Sequence, residues 1–373
     1  MWVAERLLLE IESVTRPLVV VLGGGPVGLL SALERKHSHN DRVLVIEKRK
    51  APSRSQVVAL REGMSIFLFQ LMAEAKAKAT SSPKAYESAN ILYNKKVRYE
   101  QKNGHMLTFQ LVVLEQLLRI LAEILKVTIE EGTVVAVCRG KELIYTKNKP
   151  DGSVDVMNKS YDFAIDASGG HLQNVPSGSF EHPNLHQRHG TFELKTSEPV
   201  WIQLQAAPNM LEVALGEVKA EYPHTWGLDR APITRVFPFV DLAGDHKVYI
   251  GTELPFLTDG VDFVKWVLQH RGINVDDRRV IQTSTFFIND LKYYSPGFDQ
   301  ETDTFRVGDA LYQPHYLTAS GINNAYGELT DIQFKNSTDS LNDLLMRRRQ
   351  EYYQHVAKML KDPKEAGRLF FQG

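Results

Sequence analysis

The sequence predicts a mixed α/β fold in which an antiparallel sheet is inserted between two separated parts of a parallel one. Two observations support this prediction. A strand, a helix and a second strand follow one another within residues 18–46, which is the length of a βαβ unit. A strand of the same buried type, 305–307, comes about 280 residues later, after a long segment of alternating apolar and polar residues.

The first βαβ unit can be followed along the chain. Leu18 to Leu22 is a continuous apolar run that ends at three glycines, which is typical of a buried parallel strand. Pro26 to His37 predicts a helix, because proline in the first helical turn removes no hydrogen bond. Val43 to Ile46 predicts the second strand. The elements predicted next are a helix over 61–78, a hairpin over 91–109 that turns at 103–104, a helix over 110–125, strands over 127–137, a hairpin over 141–157 and a strand over 163–165.

The pattern changes after about Ser177. Alternation over 199–255 predicts antiparallel strands. Helices are predicted over 261–270, 321–334 and 341–360. The resulting division is a nucleotide-binding domain made of 1–176 and 301–340, a sheet-rich substrate domain over 177–300, and a C-terminal helix over 341–373. The last five residues, 369–373, resemble the remnant of a protease site, so we give them no functional role.

The composition narrows the classes of partner. The 373 residues carry 44 basic and 45 acidic side chains, and this balance argues against a nucleic-acid binder, which concentrates basic charge. The longest apolar run near the start is far shorter than the roughly 20 residues of a membrane span. A single cysteine, Cys138, excludes an internal disulfide and fits a reducing compartment, so we expect a cytoplasmic protein. The 12 histidines show no metal-ligand spacing, which predicts no metal site.

Residues 23–28 carry the first motif, a G-x-G-x-x-G pattern between the first strand and the first helix. Gly23 permits the tight turn, Gly25 lets the backbone approach a pyrophosphate, and Gly28 lets the helix pack on the strand. The helix N-terminus then offers free N–H groups to a phosphate. Glu47 ends the second strand 19 residues after Gly28, where an acid accepts hydrogen bonds from a ribose. The alternative is a glycine-rich turn beside a surface glutamate.

A second motif, Gly308-Asp309-Ala310, ends the strand predicted over 305–307. A carboxylate at this point can reach a ribityl hydroxyl of a flavin. Gly321 and Asn323 open the next predicted helix, from which they can approach the flavin ring. Because Gly-Asp-Ala alone is common in turns, the weight of this motif comes from its spacing to the helix.

With these motifs the chain resembles the flavoprotein hydroxylases related to p-hydroxybenzoate hydroxylase, and it is most similar to the flavin domain of MICAL-type monooxygenases. The similarity covers the flavin-binding segments, about half of the chain. The residues that carry it, besides the glycine motif, are Glu47-Lys48-Arg49, Ser53-Arg54, Phe109-Gln110-Leu111, Gly308 to Leu311, and Pro314. The resemblance implies a Rossmann-like FAD-binding domain of the GR2 type with an inserted antiparallel substrate domain and a C-terminal helix.

The resemblance also implies roles for single residues. Arg54 and Gln110 would lie at the FAD phosphates or the ribityl chain, and Gln56 close to the flavin ring. Solvated surface is the alternative for Arg54 and Gln110. The complete set of cofactor-binding residues that we predict is Gly23, Gly25, Pro26, Gly28, Glu47, Lys48, Arg54, Gln110, Asp309, Pro314, Gly321 and Asn323.

Two positions depart from the pattern of this family. Its central motif usually reads Gly-Ala-Asp-Gly followed by Ser and Arg, whereas residues 166–170 read Asp-Ala-Ser-Gly-Gly, with Ser168 in the place of the acid. That motif is linked in the family to FAD and to NAD(P)H, so the departure bears on the reductant. The first glycine of the C-terminal Gly-x-Gly is Ala319 here, whose Cβ crowds the backbone approach to the flavin.

The activity that the resemblance implies is an FAD-dependent monooxygenase. NADPH or NADH would reduce the flavin, and an electron-rich substrate would be oxygenated through a flavin C4a-hydroperoxide. We expect a small-molecule substrate, with a protein substrate as the alternative. A flavin-dependent reductase or dehydrogenase, and a non-catalytic flavoprotein that acts as a binding module, are the other two hypotheses. Candidates for the substrate pocket are Gln56, His224, Trp226 and Arg235, and a structural or exposed position is the alternative for the last three.

Overall fold

The computed structural model describes residues 16–52, 54–101, 104–149, 151–172, 175–196, 201, 210–273, 275, 279–318, 321–332 and 338–362. The described strands are β1 Leu18–Leu22, β2 Arg42–Glu47, β3 Val57–Leu60, β4 Val97–Gln101, β5 Gly104–Gln110, β6 Thr128–Cys138, β7 Glu142–Asn148, β8 Val154–Ser160, β9 Phe163–Asp166, β10 Ser177–Phe180, β11 Gln187–Lys195, β12 Met210–Leu211, β13 Thr234–Val240, β14 His246–Leu254, β15 Val280–Ile288, β16 Leu291–Tyr294, β17 Phe298–Asp299 and β18 Thr304–Arg306. The described helices are α1 Pro26–His39, α2 Glu62–Ala77, α3 Pro83–Tyr93, α4 Leu111–Ile124, α5 Leu215–Glu221, α6 Gly260–His270, α7 Gly321–Ile332 and α8 Thr338–Met359. The predictions that concern Ser53, the turn at 103, Ala319, residues 369–373 and most of 197–209 lie outside the described residues.

An eight-stranded sheet forms the centre of the fold, in the order β17-β18-β9-β1-β2-β6-β7-β8. The five strands from β18 to β6 run parallel, and the outer pairs are antiparallel. β1 is buried on both faces, because Val19 and Val21 pack into one core and Val20 and Leu22 into another. The continuous apolar run that predicted this strand therefore follows from burial on both sides.

Three further sheets are antiparallel. Their strand orders are β12-β13-β14-β11-β15, β3-β5-β4 and β10-β16. One face of the five-stranded sheet packs against α6 around Phe263. On its other face, Phe237 and Phe239 pack against Val57 and Met106 of the three-stranded sheet. The combination of a parallel-dominated sheet with antiparallel sheets confirms the predicted mixed α/β class.

Several local features differ from the predictions. The nine-residue strands β11 and β15 were not predicted, because their residues do not alternate strictly between apolar and polar. Residues 91–93 end helix α3 instead of opening a hairpin, because Pro83 begins a helix here and proline fits the first helical turn. β3 and α5 were not predicted, since 4 and 7 residues are too few to show a clear periodic pattern.

Within the described part of the chain, none of the helices combines the length and the apolar character that crossing a membrane requires.

Candidate functional site

A cavity of about 930 Å³ lies between the carboxyl ends of the parallel strands and the five-stranded antiparallel sheet. Carboxyl ends of parallel strands are where α/β folds commonly bind ligands. We call one part the nucleotide end, which is lined by Gly23, Gly25, Pro26, Glu47, Lys48, Arg49 and residues 132–134. The other part, the sheet end, is lined by Thr191, Arg235, Phe237, Tyr249, Gly251, Phe286 and residues 315–317.

The glycine turn at the nucleotide end is packed too closely for side chains. Gly23 has a φ of +101°, and a Cβ there would lie 2.7 Å from the carbonyl oxygen of Ala167. A Cβ on Gly28 would lie 1.8 Å from the carbonyl oxygen of Gly23, so α1 and the turn are in direct backbone contact. α1 begins at Pro26 directly after Gly25, and its first-turn amides are available to an anion.

Glu47, at the end of β2, is held from two sides. Its Oε2 accepts a hydrogen bond from the Gly24 N–H (2.6 Å), and its Oε1 accepts from the backbone N–H (2.8 Å) and the Nε (3.0 Å) of Arg49. Burial opposes the negative charge, but the hydrogen bonds from Arg49 and Gly24 outweigh it and hold the pKa of Glu47 below its ordinary value. A carboxylate has about four acceptor sites, so an ionised Glu47 retains capacity for a ligand hydroxyl.

Asp309 lies in the 3-10 turn over 308–310, directly after β18. The Gly308 N–H donates to Oε2 of Glu328 on α7 (2.9 Å), which fixes this turn against the helix. The Asp309 side chain is accessible through the cavity although protein atoms surround it. This burial raises the pKa of the Asp309 carboxyl group, and the charge of Arg54 opposes the rise only in part.

Helix α7 begins beside Asp309. A Cβ on Gly321 would come within 3.1 Å of the Pro314 ring and 3.9 Å of Asp309 Oδ1. Gly321 and Ile322 both line the cavity, so the backbone of the first helical turn forms part of its wall. The two motifs that lie about 280 residues apart in the sequence therefore border one cavity.

The predicted cofactor and pocket residues divide into those on the cavity wall and those behind it. On the wall are Gly23, Gly25, Pro26, Glu47, Lys48, Arg54, Gln56, Asp309, Pro314 and Gly321. Asn323 lies behind it: its side-chain oxygen accepts from the Arg61 N–H and its amide nitrogen donates to the Ala59 carbonyl, both at 2.8 Å. These bonds join α7 to the end of β3. Gln110 is buried at the junction of β5 and α4.

Of the three pocket candidates near β13, Arg235 lies on the cavity wall. It is 1% exposed, its Nε donates to the Leu317 carbonyl (3.0 Å), and burial lowers its pKa to about 9. Trp226 packs instead into the core on the α6 side of the sheet, where its indole N–H donates to the Arg230 carbonyl (2.9 Å). His224 is exposed in the segment after α5. Both precede β13, so the strand alternation that turns Arg235 to the cavity does not apply to them.

Part of the segment 166–170, which departs from the motif of the hydroxylases that the sequence resembles, also borders the cavity. Ala167, Ser168 and Gly169 form part of its wall at the end of β9. Asp166 is buried, its Oδ1 accepts from the Ser168 N–H (3.0 Å), and its Oδ2 lies 3.9 Å from Nε of Arg306. Burial raises the pKa of Asp166. The altered motif is therefore part of the same site.

The sheet end contains polar residues that were not predicted, among them Thr191, His315 and Tyr316. A signal existed for the last two, because they lie between Pro314 and Gly321, which were both predicted to border one site. Thr191 carried no such signal. Among the described residues, no group of three or more histidine, cysteine, aspartate or glutamate side chains is arranged to hold a metal ion.

The sequence and the fold of this chain were compared with those of known proteins. No protein-family model and no curated protein matches the sequence. Among solved structures, the flavin-dependent brominase Bmp2 is 14% identical, covers 93% of this chain and 87% of its own, and gives a TM-score of 0.59. A variant of 2-methyl-3-hydroxypyridine-5-carboxylic acid oxygenase is 14% identical, with coverages of 92% and 90% and a TM-score of 0.55. OxyS, the anhydrotetracycline hydroxylase from Streptomyces rimosus, is also 14% identical, with coverages of 94% and 69% and a TM-score of 0.55.

The chain therefore shares its fold with a flavin-dependent brominase, an oxygenase and a hydroxylase. At such low identity the similarity establishes the fold, whereas the reaction has to be argued from the site itself.

Proposed function

We propose that this protein is an FAD-dependent monooxygenase that takes electrons from NADPH or NADH and oxygenates an electron-rich small molecule. The observation that carries the proposal is a cavity that extends from the glycine turn after β1 to the five-stranded antiparallel sheet. Glu47 lies at one end of this cavity, Arg235 at the other, and Asp309 also lines it.

The residues at the nucleotide end fit FAD. A Cβ on Gly25 would meet only Nη2 of Arg49, at 3.5 Å, so a phosphate can approach the backbone there. The amides of α1, together with Lys48 and Arg54 on the cavity wall, favour the negative charge of a pyrophosphate. Bound flavin would supply both the acceptance of a hydride and the activation of dioxygen, which no side chain can supply.

The protein's own contribution is binding, orientation and the exclusion of water. Glu47 would accept hydrogen bonds from the adenosine ribose, and Asp309 would accept them from the ribityl hydroxyls. The apolar side chains of Phe237 and Phe286 line the sheet end, where they would keep bulk water from a bound flavin and substrate. Arg235 places a fixed positive charge in the same wall.

Glu47→Ala is expected to weaken FAD binding by about 5- to 150-fold, because the ribose loses a charge-assisted acceptor. Titration of the apoprotein with FAD measures the change. Glu142→Ala removes an exposed acid at the start of β7 and serves as the control, with an unchanged dissociation constant expected. A folded Glu47→Ala variant that binds FAD as tightly as the wild type would contradict the assignment.

A flavin-dependent reductase or dehydrogenase is the second candidate. The altered motif over 166–170 favours it, because this segment lines the cavity but carries Ser168 where the related hydroxylases have an acid.

The finer resemblance to MICAL-type flavin domains, which we also propose, rests on the motifs around Glu47 and Asp309. A cytoplasmic location is likewise proposed, and the single half-buried cysteine, Cys138, supports it.

Anaerobic reduction followed by exposure to isotopically labelled dioxygen separates the two candidates. We expect NADPH or NADH to bleach the flavin absorbance, and labelled oxygen to enter the product when an electron-rich substrate is present. Efficient electron transfer to an organic acceptor, with no label in any product across a substrate panel, would favour the reductase.

A further inference from the structure

A short turn over 315–318 forms part of the cavity wall at the sheet end. His315, Tyr316 and Leu317 line the cavity, and Tyr316–Thr318 form a 3-10 helix. A backbone hydrogen bond from the Thr318 N–H to the His315 carbonyl (2.9 Å) closes the turn. The turn belongs neither to a sheet nor to an α-helix, so its position depends on the contacts that it makes with neighbouring elements.

The Tyr352 hydroxyl attaches this turn to the C-terminal helix α8. The hydroxyl accepts a hydrogen bond from the His315 N–H (2.7 Å) and lies 2.9 Å from Oγ1 of Thr318. Oγ1 of Thr318 also donates to the His315 carbonyl (2.6 Å). Because one hydroxyl can accept from the first residue of the turn and donate to the last, Tyr352 holds both ends of the turn.

These contacts are shielded from water, because Tyr352 is 8% exposed, Thr318 is 1% exposed and His315 is fully buried. Loss of the Tyr352 hydroxyl would take this acceptor away from a buried N–H, which is costly, so the turn would have to move. The Tyr352 ring packs against Tyr312 and Tyr353, with centroids 5.4 and 5.6 Å away. Phenylalanine at this position therefore keeps the packing and removes only the hydroxyl.

The turn in its own right contacts Arg235, a charged residue of the cavity wall on β13. The Arg235 Nε donates to the Leu317 carbonyl (3.0 Å), and the Leu317 N–H donates to Nδ1 of His315 (3.3 Å). Burial lowers the pKa of Arg235 only to about 9, so its guanidinium keeps a positive charge at neutral pH. On the opposite side, the Tyr316 hydroxyl donates to the Thr252 carbonyl of β14 (3.2 Å). The turn therefore helps to place a charge that acts strongly in a site shielded from water.

We propose that Tyr352 is a positioning residue of the cavity: its hydroxyl fixes the turn over 315–318 and, through the Leu317 carbonyl, sets the place of the Arg235 guanidinium. No described residue of α8 lies on the cavity wall, so Tyr352 acts through the turn. Its effect on turnover rests on the proposed monooxygenase function, whereas the placement of the turn and of Arg235 can be measured without turnover.

The test compares Tyr352→Phe with Tyr353→Phe in the full-length protein, purified with the flavin that it carries. Tyr353 is the matched control, because it is the next residue of α8, is 6% exposed, and has its nearest acceptor, the Lys292 carbonyl (3.2 Å), outside the cavity wall. Hydrogen exchange of the His315 amide should be about 10-fold faster in Tyr352→Phe and unchanged in Tyr353→Phe. The Nε–H resonance of Arg235, identified by its loss in Arg235→Lys, should shift only in Tyr352→Phe. This variant should also form about 10-fold less product per NADPH consumed.

Exchange of the His315 amide at the wild-type rate in Tyr352→Phe would overturn the proposal. So would faster exchange with an unshifted Arg235 resonance, or an equal loss of product per NADPH in Tyr353→Phe, since lower stability would then be the cause. If Tyr352→Phe does not fold, the wild type decides: its His315 amide should exchange as slowly as the amides of β14, and rapid exchange would refute the attachment. A protein that shows the exchange and resonance changes but oxidises no NADPH would contradict the proposed function and leave the positioning role standing.

Discussion

Gly28→Ala is expected to abolish FAD binding and to lower the free energy of unfolding by about 3 kcal/mol or more. The added Cβ would lie 1.8 Å from the carbonyl oxygen of Gly23 and 2.9 Å from its carbon. Both are backbone atoms, so α1 must move away from β1, although Leu29 and Leu33 of this helix are fully buried. The same movement displaces the amides that we expect to bind the pyrophosphate.

Urea unfolding and the flavin content of the purified protein measure the two effects of Gly28→Ala. Gly63→Ala is the matched control, because this glycine lies in the first turn of α2 and has no atom within 4 Å of its added Cβ. Alanine there should be neutral or stabilise the helix by up to about 1 kcal/mol. If Gly28→Ala keeps both its flavin and its unfolding midpoint, the close backbone contact between α1 and the turn does not exist in solution.

Asp309→Ala is expected to slow product formation by about 100-fold, because a shift of the flavin by about 1 Å relative to the substrate is enough to cause such a loss. In the proposed binding mode the ribityl hydroxyls would lose their acceptor, so we also expect FAD to dissociate more readily. Consumption of NADPH should persist, with hydrogen peroxide released in place of oxygenated product. The ratio of product to NADPH consumed measures this uncoupling, and an unchanged ratio would show that Asp309 does not orient the cofactor.

Asp309→Asn separates cofactor binding from the stability of the apoprotein. Burial raises the pKa of Asp309, so the ionised carboxylate weakens the folded apoprotein as the pH rises from the unfolded pKa to the folded one. Asparagine removes this charge, and we expect a higher melting temperature for the apoprotein at neutral pH together with weaker FAD binding. Asp245→Asn, in the exposed turn before β14, should change neither quantity. A lower apoprotein melting temperature for Asp309→Asn would contradict this interpretation.

The parallel strands could be predicted because a strand that is buried on both faces has a continuous run of apolar residues, as in 18–22. Short elements escaped prediction, since four residues of β3 carry too little pattern and Pro83 could end one helix or begin the next. The pairing of β11 with β14 and β15 depends on contacts between residues that are distant in the chain, which local patterns do not encode.

The candidate site also has a part that could be predicted from local sequence and a part that could not. The glycine turn and Glu47 belong to one βαβ unit, so their spacing in the sequence already places them together. Asn323 was expected at the flavin ring, but its amide binds the backbone near β3, about 260 residues away. The packing of the cavity-lining His315 against His189 on β11 also arises only from the folded chain, because the two residues lie 126 positions apart in the sequence.

The most direct test of the central claim is the identity and amount of the flavin that acid releases from the purified protein. We predict a single FAD per chain, because we propose that the glycine turn binds the pyrophosphate and that Glu47 binds the adenosine ribose, both of which FMN lacks. Stoichiometric FMN in the released fraction, or no bound flavin after reconstitution with FAD, would contradict the proposed cofactor site.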